Sequence, residues 1–274
     1  MDLFAELNQL MVNYRFKPNK KLAQNFVIDK NLIDLIVFHS ELKQSDAVLE
    51  IGSGTGFLTR ELQKKCKVIA VEMDDTLAEL LDKELDKKNL IVIHEGFLKA
   101  ELPKFNKVAA LPPYTISSGT VYKLLQKKFD LAILVFQKEF CNKLTAEPGF
   151  MEYRAISVLT QYYCEPKILI RNISPESFYP KPNSFSSLIK LTYNKRFGTV
   201  KNEQLFELFI KSIFRFKKKN LSNSLLKAYP FIKGELKIDE KEFKDRVNKL
   251  ELRDEKLILV PVAQFVDVFN RLLS

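Results

Sequence analysis

From about Asp46 the chain alternates between two patterns of apolar and polar positions. Short, nearly unbroken apolar runs occur in AVLEIGSGTGF, KVIAVEMD, LIVIHEGF, KVAALPPY and LAILVFQ. Between them lie segments such as LAELLDKELDKK, with leucines on one helical face and lysines on the other. Continuous apolar runs separated by amphipathic helices predict a mostly parallel sheet covered on both faces. ILIRNISPESFYPKPNSFSSLIKLTY then reads as two strands around a proline-rich turn, a hairpin that closes the sheet at one edge. Near NKRFGTVKNE, residues 194 to 203, the apolar alternation stops. Beyond that stretch the spacing is helical throughout, with Pro261 placed for the first turn of a last helix. The expected architecture is α/β: one domain over residues 1–194 and a small helical domain over 195–274.

Composition adds a partner class. The formal charge is +10 over 274 residues, and basic side chains cluster at Lys17 to Lys21 and at Lys217 to Lys219, which favours a polyanion. The three cysteines, Cys66, Cys141 and Cys164, are widely spaced, with no CxxC and only His39 and His94 beside them. That usage predicts a reducing compartment and no metal site. The N-terminus has acidic residues early and no long apolar core, and no later run has membrane-spanning length, so a cytoplasmic protein without membrane contact is expected.

Glu50-Ile51-Gly52-Ser53-Gly54-Thr55-Gly56 follows a strand and precedes a helical segment. Glycines there let the backbone turn tightly and approach a ligand at a helix N-terminus. Glu72 ends the next strand, where a carboxylate can accept both hydroxyls of a ribose. The dinucleotide fingerprint is GxGxxG, whereas GxGxG led by an acidic residue is the arrangement of class I methyltransferases. The pattern therefore favours S-adenosylmethionine, with a dinucleotide or an ordinary glycine-rich turn as alternatives.

Further stretches carry a resemblance. KKLAQNFVIDKNLI, residues 20 to 33, has Gln24, Asn25 and Phe26 in place of a known N-terminal cofactor motif, with Ala23 where glycine is usual. EIGSGTGFLT, VEMD, FQKEF, AEPG, FYPKP at 178 to 182 and IFRFKKKNLSNSL come after it in order. Together they resemble the ribosomal RNA small-subunit adenine N6-dimethyltransferases, the KsgA group, with the erythromycin-resistance methylases as relatives. The resemblance implies a Rossmann-like class I methyltransferase sheet with a small C-terminal helical domain. It also implies S-adenosylmethionine as cofactor and two adjacent adenosines near the 3′ end of small-subunit ribosomal RNA as target. By position, Asn25 and Val27 would lie at the donor's methionine end beside Gln24, Gly52 beneath it with Gly54 and Gly56, Glu72 on its ribose and Gly96 at its adenine. Leu111 takes the place of the family's fourth motif, shared by donor and target. Tyr114 and Phe178 would sandwich a flipped adenine, with the Pro112 carbonyl accepting an amine hydrogen. Arg215, Lys217, Lys218 and Lys219, interleaved with Phe214 and Phe216, would hold RNA phosphates as a basic helix, and the chain is expected to act as a monomer on RNA or a pre-ribosomal particle.

Three departures accompany the resemblance. Adenine N6 is a poor nucleophile, and an enzyme must hold the amine with acceptors as it becomes tetrahedral. Leu111 supplies no side-chain acceptor where relatives have Asn or Asp, which leaves Pro112, a water or Ser117. Gly96 stands where an aspartate is usual, with Glu95 as the nearest carboxylate. Ala155 replaces a basic residue, with Arg154 adjacent. The expectation is an active transferase, impaired at Leu111 and Gly96. The alternative is a catalytically weak or inactive RNA-binding assembly factor of the small subunit. Gln137 and Glu139 read as structural partners and His94 as incidental.

Overall fold

The computed structural model describes residues 2–273. They form two compact units: one runs to Cys141 and resumes over Pro166–Tyr193, and the other takes Asn142–Glu165 and the chain from Asn194 onward. The second unit resumes at Asn194, where the sequence places the division, and it also holds residues 142–165, which that division places with the first domain.

In the first unit, α1 (Leu3–Asn13), β1 (Phe26–Val27) and α2 (Lys30–His39) precede the alternating region. That region holds β2 (Ala47–Ile51), α3 (Phe57–Gln63), β3 (Lys67–Glu72), α4 (Asp75–Glu84), β4 (Leu90–His94), β5 (Lys107–Ala110), α5 (Ser117–Leu125) and β6 (Leu131–Gln137). Helix α6 (Lys138–Thr145) leads out of this unit; α7 (Ala155–Tyr163) belongs to the second, and β7 (Cys164–Ile173) leads back. The first unit closes with β8 (Phe178–Tyr179) and β9 (Ser186–Tyr193).

The sheet order is β4-β3-β2-β5-β6-β9-β7, with β2 through β6 parallel and β9 antiparallel to β6. The edge hairpin read from the sequence is thus β7 and β9. Val48, Leu49, Val108, Ala109, Ala110, Ile133 and Leu134 are fully buried, as expected for central strands covered on both faces. Chain order reverses between β2 and β5, so β3–β4 lie to one side and β6 to the other. At such a switch point the loops leaving the strand ends diverge and open a crevice. Here those loops are the glycine turn after β2 and Leu-Pro-Pro-Tyr after β5. Strands β1 and β8 pair separately, Phe26 opposite Tyr179 and Val27 opposite Phe178. Two-residue strands leave no periodicity in a sequence, and the pattern of apolar positions does not predict this pair.

The second unit is helical, with α8 (Glu203–Ile213), α9 (Leu221–Leu236), α10 (Glu240–Asn248) and α11 (Val262–Leu273) beside α7. Its core is aromatic: Phe206 meets Tyr162 of α7 at 4.9 Å and Phe269 of α11 at 5.2 Å between ring centroids. Those contacts are the physical reason that α7 joins this unit. Pro261 immediately precedes α11, as its spacing predicts. The basic run is not helical. A 3₁₀ turn spans Phe214–Phe216, and Asn220, whose side chain accepts from the Asn223 amide, starts α9 afresh, leaving Lys217–Lys219 in the connection. Among the described residues no helix is long and apolar enough to cross a membrane. All three cysteines are buried, and burial pushes the thiols of Cys66 up to about 11 and of Cys141 and Cys164 up to about 12, so they stay protonated and unreactive.

Candidate active site

The crevice at the switch point encloses about 740 Å³ of empty space including its mouth. Its floor is the turn after β2. Gly52 adopts φ +71°, and a Cβ there would stand 3.0 Å from Cδ of Pro113, so no larger residue fits between the glycine turn and the Leu-Pro-Pro-Tyr loop. Gly52 N donates to Val71 O at 2.8 Å, which fastens the turn to β3.

Glu72, at the end of β3, ties the floor to the wall. Its Oε2 accepts from Gly54 N at 2.8 Å, and its Oε1 from Met73 N and Asp74 N at 2.8 and 2.9 Å. Burial raises its pKa, while the three amides pull the other way. Each carboxylate oxygen has two lone pairs, so Oε2 keeps room for a hydroxyl from the crevice side. Beneath the turn, Glu50 is almost wholly buried and accepts from the Thr59 hydroxyl at 2.6 Å; burial pushes its pKa up to about 8.

The N-terminal loop forms a second wall. Gln24 bridges inward, its Nε2 donating to Asp74 Oδ2 at 2.9 Å and its Oε1 accepting from Asn19 N at 2.7 Å, while Asn25 donates to Ala23 O at 3.0 Å. Asp74 also caps α4 through the amides of Thr76 and Leu77, so one carboxylate links loop, strand end and helix. Ala23 is left-handed, φ +51° and ψ +37°, which explains why glycine suits that position.

Leu111, Pro112, Tyr114 and Phe178 also line the crevice. Leu111 packs partly against the apolar core. The Tyr114 hydroxyl lies 2.5 Å from Oγ of the fully buried Ser186 on β9, which fixes the ring's orientation; burial raises its pKa. Phe178 is held by the β1–β8 pair.

Of the site residues expected from sequence, the crevice is lined by Gln24, Asn25, Gly52, Gly54, Glu72, Leu111, Pro112, Tyr114 and Phe178. Val27, Gly56 and Gly96 stand outside it. Val27 is buried in the β1–β8 pair, and Gly56 starts α3, where a Cβ would sit 2.8 Å from Leu81. The Gly96 carbonyl accepts from the Lys99 and Ala100 amides. Its neighbours Glu95 and Phe97 line the crevice instead, because the chain kinks after β4, with Glu95 N donating to Ile93 O at 3.1 Å. Ser117 is also outside the crevice lining, and its hydroxyl donates to Tyr114 O at 2.9 Å. Met73, Ile116 and Val135 are also in the lining and escape sequence reasoning, since apolar residues of this kind look like ordinary core. Gln137 donates to Ser184 Oγ at 3.2 Å, and His94 pairs with Asp75 at 2.7 Å.

In the second unit Arg215, Lys218 and Lys219 are exposed and Lys217 half-buried. The Arg215 guanidinium lies over the Phe231 ring at 4.1 Å, while Phe214 is buried against Phe265.

A glycine-floored crevice at the reversal of a seven-stranded sheet, with an acidic strand end on one wall, makes this a class I methyltransferase. A family model described as "Ribosomal RNA adenine dimethylase" matches residues 15–272. The chain is 34% identical over 267 residues to the "Probable ribosomal RNA small subunit methyltransferase A" of Thermococcus sibiricus, covering 97% of this chain and 96% of that one. It is 38% identical over 228 residues to the "Ribosomal RNA small subunit methyltransferase A" of Clostridium botulinum strain Okra, covering 79% and 82%. Among solved structures, a dimethyladenosine transferase from Plasmodium falciparum superposes with a TM-score of 0.78 at 26% identity, covering 89% of this chain and 95% of that one. The 23S rRNA methyltransferase ErmE gives 0.65 at 26% identity, covering 90% and 99%. The chain belongs to the ribosomal RNA adenine dimethylase family.

Proposed function

We propose that the chain transfers methyl groups from S-adenosylmethionine to N6 of adenosines near the 3′ end of small-subunit ribosomal RNA, as a step of small-subunit biogenesis. The observation that carries the reading is that Gly52, Gly54 and Glu72 line a single crevice together with Leu111, Pro112 and Tyr114. The residues fit the donor: glycines admit it against the backbone, Glu72 has an oxygen to receive a ribose hydroxyl, and Val71, Leu77 and Phe97 give apolar faces for an adenine. Bound there, S-adenosylmethionine supplies an electrophilic methyl group.

The protein's part is to present the amine. Tyr114, braced by Ser186, and Phe178, braced by β1, stack the target base from both sides and hold N6 in line. The Pro112 carbonyl accepts an amine hydrogen as the nitrogen becomes tetrahedral, which builds positive charge that a carbonyl dipole stabilises. Leu111 closes the pocket to water but accepts nothing, so the reaction is slower than with an acceptor there. The names of these relatives support a transferase rather than a silent assembly factor.

The test is to incubate the protein with tritiated donor and small-subunit particles lacking the modification, then digest the RNA to nucleosides. Label in N6-methylated adenosine from the 3′ region is the expected result; donor binding without label in any nucleoside would contradict the proposal.

A further inference from the structure

The loop between α6 and α7, in the second unit, carries a surface that the transfer chemistry leaves unused. Phe150 and Met151 stand at its tip, 60% and 82% exposed. The loop beneath them is fastened. Gly149 N donates to Ile258 O at 2.7 Å, Tyr153 N donates to Phe150 O at 3.1 Å, and the Arg154 guanidinium donates to the carbonyls of Met151 and, at 3.0 Å, Tyr153. Tyr153 is fully buried, donates its hydroxyl to Val260 O at 3.0 Å and meets the Phe214 ring edge-on at 5.8 Å.

Phe214 runs directly into the basic connection, so this packing brings Arg154 beside Lys217. The Lys217 ammonium is held below the ordinary lysine range by burial first, then by the positive charges of Arg154 and Lys218. Among the described residues no carboxylate lies within ion-pair distance of Arg154, Lys217 or Lys218, and Glu147 and Glu152 on the same loop pair with none of them. Water around a large apolar tip and repulsion among crowded cations are both unfavourable in the isolated protein. One class of ligand relieves both at once: single-stranded RNA, whose bases offer flat faces and whose phosphates offer the missing negative charge. An apolar protein surface would relieve only the first.

Building on the reading of the chain as an RNA methyltransferase, we propose that Phe150 and Met151 form a stacking wedge for an unpaired base of the RNA substrate, while Arg154, Lys217 and Lys218 hold the flanking phosphates. The wedge is distinct from the Tyr114–Phe178 seat, and it extends the RNA-binding surface beyond the residues found from the basic run.

Binding of the full-length protein to the naked 3′-terminal segment of small-subunit RNA, titrated across salt concentrations, tests this. Phe150→Ser combined with Met151→Ser should weaken binding at least about fivefold, with the salt slope and Tm unchanged, because stacking releases no counterions. Phe150→Trp should retain wild-type affinity or better, and Lys217→Gln should reduce the salt slope by about one. Wild-type affinity of the double-serine variant for naked RNA overturns the proposal. If that variant nevertheless loses particle binding, the tip meets a protein of the particle; if it loses a self-association present in the wild type, the tip meets a second copy. Absence of RNA binding by the wild type would overturn the wedge together with the RNA-substrate reading, whereas a failure confined to the double-serine variant leaves methyl transfer, measured separately, intact.

Discussion

The two walls of the crevice are built on different principles. The proposed donor wall, from the glycine turn to Glu72, is made by backbone: left-handed glycines, amides converging on one carboxylate, and the Asp74 link to Gln24 and α4. The acceptor wall is made by side chains set on short loops, Leu111 and Tyr114 after β5 and Phe178 on β8. A backbone-built wall tolerates little change without loss of the fold, while a wall of side chains can lose an acceptor and keep its shape. That difference accounts for an intact donor motif beside a fourth motif that carries leucine.

Substitution on the proposed donor wall should have the strongest consequence. Glu72→Ala leaves the Gly54, Met73 and Asp74 amides without their acceptor and removes the proposed ribose contact. Donor affinity should fall at least about 100-fold and stability by about 2 kcal/mol, read by calorimetry and thermal unfolding; near-wild-type donor affinity would remove Glu72 from the site.

Next in size is a pH effect beneath the same wall. Because the folded pKa of Glu50 is about 8 against an ordinary 4.5, the folded chain keeps a proton that the unfolded chain has released between those values. This contribution to stability is complete below the ordinary carboxylate range and is lost as pH rises through about 8, a change of a few kcal/mol. Glu50→Gln keeps a partner for Thr59 without the titration. Denaturation from about pH 5 to about pH 9, spanning both ends of that window, should show the wild type weakening relative to the variant. Parallel profiles would count against a neutral, buried Glu50.

A weaker response is expected at the loop that carries Ala23. Ala23→Gly relieves a left-handed alanine but frees the unfolded chain, so a net gain of about 0.5 kcal/mol is expected. A loss of more than about 1 kcal/mol in thermal unfolding would mean that the methyl group packs usefully.

Legibility in the sequence divides along the same line. Gly52, Gly54 and Glu72 are legible because backbone demands restrict residue type: only glycine fits where Gly52 meets Pro113, and an acidic strand end has few other uses. The parallel sheet and its edge hairpin are legible from the apolar runs. Glu95 and Phe97, on either side of Gly96, line the crevice because the chain kinks after β4, and such a kink leaves no periodic trace in the sequence. Residues 142–165 read as part of the sheet domain because their partners, Phe206 and Phe214, lie far along the chain. Lys217–Lys219 read as helix because nothing in the run itself breaks one; the break comes from the Asn220 cap beyond it.

On the proposed reading, the donor wall is thus intact and the acceptor wall is short of one hydrogen-bond partner. The most direct test of that asymmetry is the single-turnover rate of methyl transfer to small-subunit RNA with donor saturating, measured for the wild type and for Leu111→Asn. A slow but measurable wild-type rate, raised on the order of 100-fold by Leu111→Asn with donor affinity unchanged, is the predicted result. An equal or lower rate in Leu111→Asn, with donor still bound, would contradict it.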